Sequence, residues 1–443
     1  MNKCSYFISK KRENQSMESE KTYLCIDMKT FYASVECAER HLNPFETNLV
    51  VADLTRGKNA LCLAITPKLK AMGIKNRCRI SEIPSNIKYE VAPPRMSLYI
   101  EYAADIYAIF LRYFSSQDIH VYSIDESFID ITDYLKLYKM NARAMARLLI
   151  KEILEQKGIP STVGIGTNLY LAKIALDITA KHSSSHIGFL TEEIYREKLW
   201  KHRPITDFWQ VAKGTAARLS KYGIYDMEGV AKAPQELLYK EFGINAELLI
   251  DHAYGRESCL IEDIKNYKTK SKSVSFSQIL PRDYTYEEAK VVLVEMLFNG
   301  TRELMKRHVI TNKLDIIIGY TKELIPSTGG SIKMTVTTQL PSLMQPYLLQ
   351  LYEKTTAKDI PIRRIGLGFS NIVDEHCEGY DLFTNMTEVE RERKRERTAL
   401  NVTAKYGKNA LLRGVNYLEC STQRERNTFI GGHRAGDDKT GKS

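Results

Sequence analysis

Three carboxylates in this chain are placed where they could do metal chemistry. Asp27 ends the apolar run TYLCID (22–27), and Asp125-Glu126 interrupt the apolar stretch HVYSIDESFIDIT (120–132). One acid at a strand end is ordinary, because turns expose their residues and Asp favours turns. The pair is different: a Ser-Ile-Asp-Glu step inside an apolar hairpin opposes folding unless something is bound there. If the first strand and the hairpin are sheet neighbours, the three acids meet. Crowded carboxylates repel and shift one another's pKa values, and cations among them relieve that repulsion. Hard oxygen donors suit Mg²⁺, which keeps several waters and binds substrate phosphates. Two such ions ~3.5–4 Å apart can activate an attacking oxygen and stabilise a leaving one in phosphoryl transfer.

The elements that must position these acids are read from periodicity. TYLCID is a buried strand, and Thr30 to Arg40 is a helix with Phe31, Val35 and Ala38 on one stripe. LVVAD (49–53), ALCLAI (60–65) and YEVAP (89–93) are strands. Pro67 to Met72 is a short helix with Pro in its first turn and Gly73 at its end. Met96 to Phe114 is a long amphipathic helix. VYSI and SFIDI form a hairpin with the acids at its bend. Asn141 to Gln156 is a helix, STVGIG (161–166) a strand and Leu169 to Ala180 a helix. Strands alternating with helices, plus one hairpin, predict an α+β sandwich of ferredoxin-like type.

After Gly188 the texture changes. Short helical patterns run from Thr191 to about Tyr254, and the lysine-rich segment 263–273 reads as a linker. A second α+β unit follows: SVSFSQIL, a helix from Tyr286 to Arg307, KLDIIIGY, SIKMTVTTQL, a helix near Pro346–Lys354, and IRRIGLGFSNI. The run EVERERKRER, just after Thr387, reads as a solvated mixed-charge helix, and residues 1–20 as a loose arm.

The 443 residues suggest roughly three domains, and 43% hydrophobic with 27% charged residues describes a globular chain. Lys and Arg number 64 against 54 Asp and Glu, a net charge of +10 that permits a polyanionic partner without requiring one. No apolar run approaches the ~18 residues of a membrane helix, and the first residues lack the apolar core of a signal peptide. The eight cysteines are scattered with no C-x-x-C, so reduced thiols are expected rather than a disulfide framework or zinc site. His182 and His186 stand i, i+4, with no third metal ligand evident.

Three blocks, DMKTFYASVE (27–36), YSIDESFIDIT (122–132) and TVGIGTNLYLAKIALDITAKH (162–182), resemble the signature blocks of the Y-family, lesion-bypass DNA polymerases. AKYGKNALLRG (404–414) and RERNTFIGGHRAG (424–436) resemble the tail of their UmuC-like bacterial branch. The resemblance implies a right-hand polymerase of α+β class: a ferredoxin-like palm (21–30 and 96–188), small fingers (31–95), a helical thumb (189–262), a linker (263–273), an α+β little finger (274–384) and a C-terminal tail (385–443). It implies error-prone translesion synthesis in the response to DNA damage, from dNTPs on primer-template DNA, in the bacterial cytoplasm at the nucleoid.

By the same resemblance Asp27, Asp125 and Glu126 are the catalytic carboxylates and, with the Met28 carbonyl, the ligands of two Mg²⁺ ions. Phe31 and Tyr32 lie under the incoming sugar, with Tyr32 the gate against ribonucleotides. Lys181 and Lys70 meet the triphosphate. DITAK is one residue longer than in many relatives, which shifts Lys181 by a helical position. In the fingers helix, Pro67 and Lys70 stand where many relatives carry Tyr and Arg, with Lys68 as a substitute contact. A lysine there lacks the bidentate fork of arginine. Gly214, in a degraded helix-hairpin-helix, and Arg302, Lys306, Arg307, Arg363 and Arg364 are expected on DNA phosphates, a sequence-independent contact. Leu382-Phe383 are the core of a sliding-clamp motif that lacks its usual upstream Gln. Two alternatives are weighed: a catalytically weak DNA-binding recruitment factor of the same fold, and a nucleotide cyclase. A lost carboxylate would favour the first, and the absence of thumb and little finger the second.

Overall fold

The computed structural model describes residues 21–57, 59–268 and 272–436, so the expected arm at 1–20, the middle of the linker and the last seven residues lie outside it. The chain forms two compact units and passes from one to the other between Lys268 and Thr269.

In the first unit β1 (Tyr23–Met28) leads into α1 (Phe31–Glu39). Then come β2 (Leu49–Ala52), β3 (Cys62–Ile65), α2 (Pro67–Ala71), β4 (Glu90–Ala92), α3 (Met96–Leu111), β5 (Ile119–Val121), β6 (Glu126–Asp130), α4 (Thr132–Leu137), α5 (Ala142–Lys157), β7 (Ser161–Gly166), α6 (Leu169–Ile174) and β8 (Ile187–Leu190). The main sheet has the order β5-β6-β1-β7-β8, and β3-β2-β4 form a separate small sheet. β1 lies between β6 and β7 and is antiparallel to both, while β8 adds a parallel edge. Through β7 this is the ferredoxin-like arrangement that the alternation of strands and helices predicts.

The seating of α6 decides where its side chains arrive. Gly164 and Gly166 on β7 and Gly188 on β8 face it. A methyl group at Gly164 would stand 2.1 Å from the Ala172 carbonyl oxygen, and one at Gly166 2.1 Å from the Ala172 nitrogen. Side-chain-free strand positions therefore let the helix drop onto the sheet, where Tyr23, Cys25, Phe128, Leu169, Ala172 and Leu176 share one core. The next residues, Ala175–Thr179, are π-helical rather than α-helical.

Short helices follow: α7 (Glu192–Leu199), α8 (Lys213–Ser220), α9 (Met227–Lys232), α10 (Gln235–Phe242), α11 (Asn245–Ala253) and α12 (Ile261–Asn266). α12 corrects the expected linker start at 263. Ile261 is buried in the same core as Tyr23 and Cys25, with Ile264 against it, and Asp263 accepts from the Leu260 N–H. The polar composition of 263–273 hides this one-turn apolar pair.

The second unit holds β9 (Ser273–Tyr284), α13 (Tyr286–Lys306), β10 (Val309–Tyr320), β11 (Thr328–Thr338), α14 (Pro341–Thr355), β12 (Ile362–Ser370), β13 (Val373–Asp374), α15 (Met386–Tyr406), α16 (Gln423–Arg426), β14 (Phe429–Ile430) and β15 (His433–Arg434). Its sheet runs β11-β10-β12-β9, with α13 and α14 over one face. α14 begins five residues before the expected Pro346, with Pro341 in its first turn.

The mixed-charge helix α15 is not a solvated rod. Val389, Glu396 and Ala399 are buried. Glu396 pairs with Arg413, Arg395 and Arg302, and Glu295, also buried, accepts from Asn416, Ser421 and the Thr422 N–H. The segment after 385 is thus tied to α13 by two buried carboxylates, Glu396 paired with arginines and Glu295 with neutral donors, although Glu396 Oε2 is left without a hydrogen bond.

Gly164→Ala is expected to destabilise the first unit by about 3 kcal/mol, because the new methyl meets backbone that cannot rotate away. Urea unfolding followed by the fluorescence of Trp200 and Trp209, both in that unit, measures it. An unchanged midpoint would contradict the close seating of α6.

Candidate active site

The register of the sheet brings the acids together at the backbone level. Asp27 pairs directly with Glu126 across β1 and β6, and the Met28 N–H donates to the Asp125 carbonyl at 2.9 Å. The bend itself is closed by the N–H groups of Tyr122 and Ser123, both donating to the Glu126 carbonyl. Because facing residues share one side of a sheet, Asp27 and Glu126 point to the side covered by α6.

There the carboxylates are shared among lysines. Lys173, from α6, lies 2.7 Å from Glu126 Oε1 and 3.1 Å from Asp177 Oδ2. Lys181 lies 2.7 Å from Asp177 Oδ1 and 3.7 Å from Asp27 Oδ2. Cys25 Sγ donates to Glu126 Oε1 at 3.0 Å, and Ser123 Oγ to Asp125 Oδ1 at 2.6 Å. Among the described residues no three His, Cys, Asp or Glu side chains stand as a ready metal-ligand group. The expected trio is adjacent along the chain's backbone, while its carboxylates are turned to separate partners. Sharing a cation requires Glu126 to leave Lys173.

Electrostatics at Asp27 fit a cation-binding role. Burial raises its carboxyl to about 6, with the charges of Asp125 and Glu126 pushing the same way and Lys181 opposing. The two acids whose charges reach it, Asp125 and Glu126, offer oxygen, the donor type of hard divalent cations. Lys173 is held well above its ordinary value, since the acids around it outweigh its burial.

The DITAK segment runs through a π-helical turn at Ala175–Thr179, a geometry with more residues per turn than the α-helix. Lys181 reaches Asp27. Lys173 and Asp177 were missed in the sequence, although the spacing Lys173, Asp177, Lys181 in an otherwise apolar helix was the available signal.

Tyr32 is half-buried and stacks on Tyr99, ring centroids 4.6 Å apart, with Phe31 tilted at 5.9 Å. Burial and the charge of Asp125 raise its hydroxyl pKa, which puts the ring within electrostatic reach of the acids. Tyr99 is itself fixed, since its hydroxyl donates to Glu36 Oε1 at 2.7 Å. Glu36 is fully buried and held by Arg95 in a two-pronged contact, Nε at 3.0 Å and Nη2 at 2.7 Å. This layer behind Tyr32 carries no recognisable pattern in the sequence.

Lys70, on α2, is exposed and feels the charges of Asp27 and Lys181. Lys68 is not available as its substitute, because its ammonium donates to the Glu46 carbonyl. Gly214 is the second residue of α8, with open space around its Cα.

In the second unit Lys306, Arg307 and Arg364 are exposed and Arg363 partly so. Arg307 pairs with Glu303 at 2.8 Å and Arg363 with Asp283 at 3.7 Å. Arg302 corrects the expectation of a phosphate contact. Its side chain is only 18% exposed and is committed to buried Glu396 at 3.8 Å, so it serves the attachment of α15. Leu382 and Phe383 are 99% and 96% exposed, in a turn where Asp381 accepts from the Phe383 N–H.

With the geometry in hand, comparison with known proteins is direct. Residues 26–177 match the impB/mucB/samB family, and residues 271–382 match the C-terminal domain of that family. A Bacillus subtilis (strain 168) protein named for UV-damage repair, UvrX, is 34% identical over 94% of this chain and 98% of its own length. DNA polymerase IV 2 of the same organism is 29% identical over 94% of this chain and 100% of its own. Among solved structures, a Y-family DNA polymerase chimera of Dbh and Dpo4 superposes with a TM-score of 0.60 at 21% identity, covering 80% of this chain and 99% of that one.

The raised Asp27 carboxyl has a definite sign. The folded state binds its proton more tightly than the unfolded chain does. Stability therefore falls as pH rises from about 4 to about 6 and stays lower above that. In chelator at pH 7.5, Asp27→Asn is expected to be more stable than the parent by up to about 3 kcal/mol, and the advantage to vanish near pH 4. A pH-independent difference in urea midpoints would contradict the assignment. Matching family models over both units, with a relative that spans nearly the whole chain, assign the molecule: it belongs to the impB/mucB/samB family and is a Y-family DNA polymerase of the UmuC-like branch.

Proposed function

We propose that this polymerase extends primers across damaged template positions by nucleotidyl transfer, with Asp27, Asp125, Glu126 and the Met28 carbonyl as the ligands of two Mg²⁺ ions. The observation that carries this reading is the cross-strand pairing of Asp27 with Glu126, with Asp125 at the adjoining bend. Bound there, the cations supply Lewis acidity toward a primer 3′-hydroxyl and toward triphosphate oxygens. The protein's own part is positional. β1 and β6 hold the carboxylates in register, and Lys173 stands 2.7 Å from Glu126, so that acid has a cationic partner whenever it is not a ligand.

Around the acids, in what we read as the palm and fingers, Lys181 and Lys70 neutralise the triphosphate. Phe31 and the Tyr32 ring, braced by Tyr99, lie under the sugar, where a ribose 2′-hydroxyl has no room. Gly214 opens a helix whose N-terminal N–H groups suit a DNA phosphate. Lys306, Arg307, Arg363 and Arg364 serve the backbone of primer-template DNA; Arg302 is withdrawn from that set. The exposed Leu382-Phe383 pair fits a sliding-clamp contact, because two large apolar side chains fully in water favour a partner. Among the described residues no helix is long and apolar enough to cross a membrane. The polymerase reading itself puts the work on DNA, in the bacterial cytoplasm at the nucleoid.

Asp125→Ala is expected to abolish extension of an annealed primer on undamaged and abasic templates while leaving duplex binding within about twofold. Extension at the parental rate would refute the ligand set. Tyr32→Ala is expected to admit ribonucleotides in a mixed pool at least tenfold more often than the parent. Equal rejection by both proteins would place the sugar gate elsewhere.

A further inference from the structure

Lys29 lies two residues beyond Asp27, past the end of β1 and before α1, and no role in the polymerase reading accounts for it. Its ammonium is not in free solvent. It donates to His186 Nδ1 at 3.0 Å and lies 5.9 Å from the centre of the Phe45 ring. Its backbone N–H is fixed to the Pro160 carbonyl at 2.8 Å. His186, held at φ 57° in the turn before β8, presents an acceptor nitrogen, so the imidazole is neutral and orients the lysine instead of repelling it. From its turn, His186 aims Lys29.

Three ammonium groups converge on one carboxylate. Lys181 is 3.7 Å from Asp27. Lys29 and Lys70 each feel Asp27, and Lys70 is pressed by Lys29 on one side and Lys181 on the other. Lys181 also pairs with Asp177 at 2.7 Å, whereas among the described residues Lys29 and Lys70 stand in no ion pair, so these two ammonium groups lack a carboxylate of their own. At the same place α1 begins without a cap: Thr30 makes no side-chain cap bond, and no acid stands in the first turn. The N–H groups of that turn have no side-chain cap, and such unsatisfied donors favour an anion. An extended, multiply charged anion spanning Lys181, Lys70 and the start of α1 matches this layout better than a single carboxylate or phosphate.

We propose that Lys29, aimed by His186, is a further nucleotide-binding residue that contacts the polyphosphate chain of the incoming dNTP, with His186 as its positioning residue. This rests on the polymerase reading of the same site. The contact is to phosphate, so it is indifferent to the base and to the template.

The test measures binding rather than turnover. The full-length protein on a dideoxy-terminated primer-template, in Ca²⁺, is titrated with each of the four dNTPs by calorimetry. Lys29→Met is expected to weaken the templated dNTP about 10- to 100-fold, the usual worth of a charge-assisted hydrogen bond, by the same factor for every base, with primer-template affinity unchanged. Lys29→Arg should recover most of the loss. His186→Ala should weaken dNTP binding several-fold in the parent and add nothing to Lys29→Met. Parental dNTP affinity in Lys29→Met, an effect on one base only, or equal weakening of primer-template binding would each overturn the proposal. A parent that binds dNTP but never extends a primer would instead refute the polymerase reading and leave the Lys29 contact standing.

Discussion

One register holds the site together: Asp27 on the central strand stands opposite Glu126 on its neighbour. In a sheet, a slip by one residue turns every side chain to the other face. Such a slip would turn Asp27 to the face that Leu24 and Ile26 now occupy, turn those two toward α6, and leave the acids on opposite sides. The register is guarded from both flanks. Met28 is tied to the Asp125 carbonyl, and β7 pairs with β1 along its whole length. Apolar residues alternate with the acids so that only this alignment buries Leu24, Ile26 and Ile129.

Burying a carboxylate beside like charges has an electrostatic cost, visible in the raised carboxyl of Asp27. The fold offsets it with a second layer of charge carried by one helix. Three glycines remove the side chains that would hold that helix away, and a π-helical turn adjusts its phase, so that Lys173, Asp177 and Lys181 come down over the acids in succession. The result is an alternating set of charges in which Asp27, Glu126 and Asp177 each have a lysine within reach. A similar logic governs Tyr32, whose position rests on Tyr99, then on buried Glu36, then on Arg95. Apart from Lys181, which we propose meets the triphosphate, these layers decide where the reacting groups stand without touching them.

The strands, the hairpin and the three acids were legible because their signals are local: short apolar runs, alternation, and acids where apolar residues belong. The long blocks around Asp27, Asp125 and the LAKIA helix carried the family. What escaped shares a physical character. Arg302 reads as a surface cation on a helix, and only the fold reveals Glu396 against it, 94 residues away in the chain. Glu396 reads as one more acid in a solvated run, because a buried ion pair has no hydrophobic periodicity. Ile261 and Ile264 make too short an apolar pair to stand out from a lysine-rich segment. Glu36, Arg95 and Tyr99 meet through side chains separated in sequence by up to 63 positions. Long-range polar partnerships leave little trace in a single sequence, whereas periodic burial leaves a clear one.

The central claim is that the paired strands deliver Asp27, Asp125 and Glu126 to a shared pair of divalent cations. Counting Mn²⁺ by electron paramagnetic resonance, on the complex with dideoxy-terminated primer-template and the matching dNTP, tests it most directly. The account predicts two protein-bound ions per chain, with at least one lost on Asp27→Ala or Glu126→Ala while the DNA stays bound. A count that is the same in parent and variants would contradict it.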